Sequence, residues 1–139
     1  MPRKTLKPNK KPPFFAKLYS PGDIVDDIDM ESARESLTNC EQAVTALELN
    51  TVYRVVARKG CELYSILAFG VLSKEAKIYH IVSVREREGA ASFLLDWVKT
   101  FASEKKLAAI TLNPLDKTDS FYKKHGFTFD CVNNMIFIL

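Results

Sequence analysis

The sequence has few cysteines and no long hydrophobic run, and each absence argues against a class of protein. No apolar stretch reaches the ~18 residues that a membrane-spanning helix needs, so we expect no contact with a membrane. The three cysteines, Cys40, Cys61 and Cys131, are odd in number and widely separated along the 139 residues. That spacing argues against a disulfide scaffold and a metal site, and it fits a protein of the reducing cytoplasm.

An apolar leader is also missing, although the sequence starts with basic residues, so we expect no secretory signal. Residues 1–17 hold six basic side chains and no acidic one, whereas the other 14 basic residues are outnumbered by 17 acidic ones. Four of the six prolines also lie in this segment. Such a composition cannot offset its ordering entropy, so we predict a flexible basic tail over residues 1–12 and a single domain over 13–139. The tail is either a solvated leader or a contact for an anionic partner such as RNA or an acidic protein.

The first fifty residues give a mixed signal. Residues 14–19 predict a strand that ends at a Ser-Pro-Gly turn, and the acidic segment 23–31 predicts no clear element. Ser32 to Glu35 has the form of a capping box, which indicates a helix that begins there. A second possible cap at Thr38 leaves open whether one helix or two short ones follow. The apolar stripe of this region comprises Ala33, Leu37, Cys40, Val44 and Leu47.

The remainder reads as alternating strands and helices. Three β-rich runs over 52–58, 63–72 and 77–84 predict an antiparallel meander. An unbroken helical pattern over 90–104 follows, and a fourth strand over 107–112 completes a strand–helix–strand unit. Such a unit makes the strands that end at Val84 and Leu112 parallel neighbours. The predicted buried face of the helix comprises Ala90, Leu94, Trp97, Val98 and Phe101.

A short helix capped by Asp116 and two closing strands, over 127–130 and 135–139, complete the predicted order of elements. Together these elements predict a mixed α/β fold, α+β in strict terms. Its sheet is mostly antiparallel, contains one central parallel βαβ crossover, and carries helices on both faces.

Gly89 lies where the third predicted strand gives way to the long helix. The first backbone N–H groups of such a helix attract a phosphate, and glycine lets the backbone approach it closely. Arg85 and Arg87 could add charge-assisted bonds, whereas Glu86 and Glu88 oppose them. Because the net side-chain charge of these four residues is zero, we expect the attraction to come mainly from the backbone.

The segment Phe121-Tyr122-Lys123-Lys124-His125-Gly126-Phe127, placed after a βαβ unit, resembles the last helix-and-strand motif of the GCN5-related N-acetyltransferases (GNATs). The resemblance covers roughly residues 14 to 139. The family's acetyl-CoA loop, Arg/Gln-x-x-Gly-x-Gly/Ala, falls on residues 86–91, where Glu86 replaces the usual Arg or Gln. The resemblance implies the acyl-CoA N-acyltransferase fold, in which the parallel strands splay at the cofactor site.

The resemblance also implies residue roles. Acetyl-CoA would lie between the two parallel strands, with the backbone of Val82 and Val84 on its pantetheine arm and Asn113 or Asp116 beside it. Tyr122 would protonate the leaving thiolate after direct attack by an amine. His80 or Glu86 could act as a base, and His125 is expected to be a helix C-terminal residue. The expected diphosphate contacts comprise Arg87, Glu88, Gly89, Ala90, Ala91 and Ser92.

Three functions remain open from the sequence. One is an N-acetyltransferase, a monomer or homodimer, that acts on an amine of a protein, a small molecule or an aminoacyl-tRNA. Another is a non-catalytic or regulatory binding protein on the same fold, which Glu86 and Glu88 favour. The third is a toxin-like acetyltransferase that acts on charged tRNA.

Overall fold

The computed structural model describes residues 14–85, 89–115, 117–131 and 133–139. The predicted tail, together with Glu86, Arg87, Glu88 and Asp116, lies outside these ranges. In chain order the described elements are β1 (Phe15–Tyr19), α1 (Asp27–Arg34), α2 (Cys40–Leu47), β2 (Tyr53–Lys59), β3 (Glu62–Leu72), β4 (Glu75–Ser83), α3 (Ala90–Glu104), β5 (Ala109–Leu112), α4 (Asp119–Lys124), β6 (Thr128–Cys131) and β7 (Asn134–Ile138). None of the described helices is both long and apolar enough to cross a bilayer.

The described strands form one sheet in the order β1-β2-β3-β4-β5-β7-β6. β4 and β5 pair in parallel, and the other described pairs are antiparallel. The mixed fold, the meander and the central βαβ crossover are therefore confirmed. The long helix α3 has the predicted bounds, because its apolar residues recur at helical spacing without a breaker.

One face of the sheet is covered by α3 and α4. Alternate residues of β2 and β3, such as Val55, Leu67 and Phe69, point to this face. They meet the predicted apolar stripe of α3, in which Leu94 and Val98 are fully buried and Trp97 is half-buried. Tyr122 belongs to the same cluster, so the core on this side continues to the end of the chain that carries the predicted motif.

The opposite face is covered by α1 and α2. Its apolar core includes Val56, Ile66 and Val82, and it also encloses charge. Asp29 is fully buried, accepts a hydrogen bond from the Tyr19 hydroxyl at 2.5 Å and pairs with Arg58 at 3.1 Å. Burial and this hydrogen bond raise the pKa of Tyr19 well above its ordinary value.

Arg54 is also almost fully buried on the α1–α2 side of the molecule. Its guanidinium donates to the carbonyl oxygens of Leu47, Ser20 and Asp23 at 2.9 to 3.1 Å. Desolvation lowers its pKa from the usual value. The arginine thereby ties the end of α2 to the segment that follows β1.

The capping-box prediction at Ser32 is wrong, because α1 begins earlier, at Asp27. Ser32 lies inside the helix, and its hydroxyl accepts a hydrogen bond from the Leu63 N–H at 3.0 Å. The alternative of two short helices is confirmed, with Asn39 in the left-handed conformation (φ 56) at the start of α2. Leu37 leaves the predicted apolar stripe, because it lies in the connection between α1 and α2 and is 100% exposed.

Candidate active site

A gap opens in the sheet where β4 continues beyond β5. The parallel pairing runs only from Glu75 opposite Ala109 to Ile78 opposite Leu112. At that point β4 also has a bulge, since His80 pairs with Ala68 but Ile78 pairs with Phe69, which leaves Tyr79 without an opposite residue. The rest of β4 therefore has no neighbour on its β5 side over the described residues.

The backbone of β4 is not directed as the sequence suggested. The Val84 N–H donates to the Tyr64 carbonyl at 3.0 Å, and the Val84 carbonyl accepts from the Thr38 hydroxyl at 2.9 Å. The Val82 carbonyl accepts from the Ser65 hydroxyl at 2.8 Å. Both valines thus turn these polar groups toward protein partners, although Val82 also lines a cavity at this edge, and their contact with a ligand stays a prediction.

The residues next to these valines in β4 direct their backbone groups to the other side of the strand. In an antiparallel ladder the backbone groups of successive residues point to opposite sides of the strand, so Ile81 and Ser83 turn theirs toward the gap. The Ser83 carbonyl accepts from the side-chain amide of Asn39 at 2.6 Å. The sequence could not show this one-residue shift, because it depends on the pairing of β4 with β3 and on the bulge at Tyr79.

Two cavities meet at this edge of β4, and both are lined by Ile81, Ser83, Thr118 and Tyr122. The first, of about 450 Å³, also reaches the start of α3. The second, of about 420 Å³, is also lined by residues of α2, β4 and the segment after β5. A ligand that enters from the α3 side and another that enters from the α2 side can therefore meet beside Tyr122.

The start of α3 fits an anionic group. Gly89 has φ 82, and nothing lies within 4 Å of the position that a Cβ would take there. Gly89, Ala90, Ala91 and Ser92, four of the predicted diphosphate contacts, all line the cavity on the α3 side. Arg85 and Lys117 line it as well. The main-chain donors of the helix and two cations thus border the same space.

Tyr122 is 6% exposed and lies at the junction of the two cavities. Its ring packs edge-on against Phe121 and Phe127, with centroids 5.1 and 5.9 Å away. Burial raises the pKa of its phenol to about 12. The side chain therefore stays protonated at neutral pH and can give up its proton only to a strong base.

α4 is short, and polar contacts hold its end against α3. Nε2 of His125 lies 3.0 Å from the Ser92 hydroxyl, and the Lys99 ammonium donates to the His125 carbonyl at 2.5 Å. Gly126 (φ 91) follows the helix, and a Cβ there would lie 2.9 Å from the Phe137 ring. His125 is the C-cap of α4, as predicted, and its contact with Ser92 links the end of α4 to the start of α3.

The other predicted residues are dispersed around the site. His80 is exposed and lines the cavity on the α2 side, together with Asn113. The Asn113 side-chain amide donates to the Asn133 carbonyl. α4 begins at Asp119, and Thr118 occupies its N-cap position, for which the sequence predicted Asp116. Glu86, Arg87 and Glu88 lie outside the described residues.

Sequence reasoning missed several cavity residues, namely Ile81, Ser83, Gln42, Lys117 and Thr118. The side chains of Ile81 and Ser83 give no sequence signal, since only the backbone groups of these strand residues face the gap. Lys117 is different, because a cation just after Asn113-Pro114 could have been predicted to face the same edge as Gly89. Over the described ranges, no cluster of three or more His, Cys, Asp or Glu residues is placed to hold a metal ion.

No family model matches the chain, and no curated protein matches it in sequence. Solved structures do match in shape. The ribosomal-protein-S18-alanine N-acetyltransferase from Escherichia coli superposes with a TM-score of 0.66 at 11% identity, over 89% of this chain and 94% of that one. The fold is that of the GNAT acetyltransferases.

Two other GNAT-fold neighbours were solved with ligands. The PaiA N-acetyltransferase from Thermoplasma acidophilum, in complex with coenzyme A, matches with a TM-score of 0.63 at 14% identity, over 90% of this chain and 99% of that one. A GNAT family acetyltransferase from Brucella melitensis, in complex with acetyl-CoA, matches with a TM-score of 0.61 at 13% identity, over 90% and 88%. The predicted resemblance is therefore confirmed for the fold.

Proposed function

We propose that this protein is an N-acetyltransferase that moves the acetyl group of acetyl-CoA to an amine. The observation that carries the proposal is the position of Tyr122, a buried phenol at the junction of two cavities along the open edge of β4. The coenzyme complexes of GNAT-fold neighbours support acetyl-CoA as the donor. In this proposal the donor occupies the α3 side and the acceptor the α2 side.

The donor would be held mainly by main-chain groups. The backbone groups of Ile81 and the N–H of Ser83 are offered to the amides of the pantetheine arm, as they would be to an added strand, while the Ser83 carbonyl accepts from Asn39. Gly89 to Ser92 offer N–H groups to the diphosphate, and Arg85 and Lys117 add charge. The zero net charge of Arg85 to Glu88 makes these backbone donors and Lys117 the principal source of attraction.

The chemical step needs no covalent enzyme intermediate. The lone pair of a neutral amine attacks the thioester carbonyl carbon, the carbon–sulfur bond breaks, and the sulfur leaves with the bonding pair. Tyr122 transfers its phenolic proton to that thiolate, whose basicity rises in the same desolvated cleft. The amine gives up its extra proton to His80 or to solvent at the α2-side cavity, where His80 is exposed.

Ligand binding and turnover test the proposal separately. Acetyl-CoA at about 100 times its Kd should stabilise the protein by about 2.7 kcal/mol and raise its Tm. Tyr122→Phe should keep that shift and lower kcat on the order of 10²- to 10⁴-fold with any accepted amine. If millimolar acetyl-CoA leaves the Tm unchanged, the protein is instead a binding module without this donor. If Tyr122→Phe turns over normally, the phenol is not the acid.

A further inference from the structure

One groove of the described part of the molecule shares only Arg85 with the proposed active site. This groove has a volume of about 860 Å³ and runs between α1, the connection to α2, and the β2–β3 hairpin. The apolar side chains of Ile28 and Leu37 lie along it, and both are exposed to solvent. Exposed apolar side chains around a groove often mark a contact surface. The proposed acetyl transfer does not use it.

The groove is also acidic. Glu31, Glu35 and Glu62 line it, whereas Arg85 is its one lining cation. Arg85 is already paired with Glu62 at 3.1 Å. The lining therefore carries a net side-chain charge of −2, and it suits an occupant with several cations and a few apolar groups.

The described part of the chain begins at the same end of the sheet as this groove. Phe14 packs its ring 5.3 Å from the ring of Tyr64, and the Arg85 guanidinium lies 5.3 Å from that same ring. Phe15 pairs with Arg58, at the end of β2 from which the hairpin leads to Cys61 and Glu62. The chain thus enters the sheet at the same end as the groove.

We propose that residues 1–13 dock into the acidic groove of their own chain. They carry Arg3, Lys4, Lys7, Lys10 and Lys11, an apolar Leu6, and no acid. Thirteen residues span up to ~43 Å when extended, which is long enough to cross the hairpin and lie along the groove. Because the segment is tethered, its local concentration is millimolar, so a few weak ion pairs suffice for docking. The anionic partner of the tail is then the protein itself, and this assignment does not depend on acetyl transfer.

Cys61 reports on the groove directly, because it is exposed and lines it. Alkylation by iodoacetamide, followed by peptide mass spectrometry, gives the reaction rate of each cysteine separately. A tail that is docked nine-tenths of the time slows Cys61 about ten-fold. Removing residues 2–12, or raising the salt from about 0.05 to about 0.5 M, should restore the fast rate. Cys131, exposed on β6 at the far edge of the sheet, should not respond.

Charge exchange provides the sharper test and avoids deletion. Lys10→Glu with Lys11→Glu should abolish the protection of Cys61, and so should Glu31→Lys with Glu35→Lys. The four changes combined should restore it. Glu104→Lys, which reverses one acidic charge on α3, should have no effect, because α3 lies on the other face of the sheet.

Equal Cys61 rates in the full chain and the shortened one at low salt would overturn the proposal, whether or not the tail then binds RNA. Protection that grows with protein concentration would also overturn it, because the tail would then occupy the groove of a second copy. Failure of acetyl-CoA to bind would leave the docking result unaffected.

Discussion

Different interactions stabilise the two faces of the sheet. On the α3 face, Phe101 packs against Phe69 and Trp97 with ring centroids 5.2 and 5.4 Å apart, and aliphatic side chains fill the remainder. On the α1–α2 face, helices of eight residues each enclose the buried charges of Asp29 and Arg54. The buried apolar cluster on the α1–α2 face is smaller than the cluster on the α3 face, and here polar contacts supplement the packing.

Because of this difference, we expect the stability of the two faces to respond to different kinds of substitution. The α3 face, which carries the proposed site, should lose stability in proportion to the volume removed from it. The α1–α2 face should respond to the loss of single polar partners, since a buried charge without its partner is costly. Substitutions on either face can test this contrast.

The largest loss is expected from Asp29→Ala, which leaves Arg58 and the Tyr19 hydroxyl without their partner. Breaking a buried pair from one side costs about 3–5 kcal/mol, measured as the free energy of unfolding in urea. Glu31→Ala on the same helix removes only an exposed pair with Arg34 and should cost no more than about 0.5 kcal/mol. Similar losses of unfolding free energy for both variants would contradict the view that the buried polar contacts of Asp29 stabilise this face.

Leu94→Ala probes the α3 face by volume alone. The side chain is fully buried in the cluster that includes Tyr122, so the change should cost about 2–5 kcal/mol in urea unfolding. Leu94→Met conserves volume and should cost less than about 1.5 kcal/mol. Equal losses would show that shape, and not volume, sets the stability of this face.

A smaller effect is expected from Gly126→Ala, at the end of the helix that carries Tyr122. The residue has φ 91, and an added Cβ would meet the Phe137 ring at 2.9 Å. We expect a loss of about 1–3 kcal/mol from strain, seen as a lower Tm. Gly60→Ala is the control, since its φ is also positive (63) but no atom lies within 4 Å of its Cβ position. If both lower the Tm equally, contact with Phe137 is unimportant.

The smallest effect concerns pH. Burial, with Lys99 and Lys124 nearby and Asp96 opposing them, lowers the pKa of His125 below its usual value. The unfolded chain therefore binds the proton more readily, so this residue's contribution to stability is present above about pH 6.5 and is lost as the pH falls toward the lowered pKa. His125→Gln should reduce the loss of unfolding free energy between about pH 7 and 5.5.

The contrast between the faces also explains what the sequence could predict. α3 and the meander were predicted because their burial is apolar and periodic, and Tyr122 and Ser92 followed from adjacent motifs. The helix α1 was not predicted, because its acidic segment has the composition of a solvent-exposed one, whereas Asp29 within it is buried. Leu37 was misplaced because the left-handed Asn39 interrupts the helical spacing.

The site was predictable only where side chains carry the chemistry. Val82 and Val84 were chosen by their position near the end of a strand, whereas the β3–β4 register, with its bulge at Tyr79, decides which backbone groups face the gap. Bulges arise from the pairing of two strands and leave little trace in either one. Lys117 had a visible signal, since it follows the strand end at which the cleft opens.

β4 lies in the middle of the sheet, but because β5 ends early, the part of β4 after Ile78 has an unpaired edge among the described strands. Unpaired backbone groups along an edge can recruit any extended chain, including another copy of the protein. An extended, amide-bearing ligand would occupy that edge in place of a strand. The concentration of that ligand should then govern the self-association of the protein as well as its thermal stability. The ligand-free protein should be more prone to aggregate.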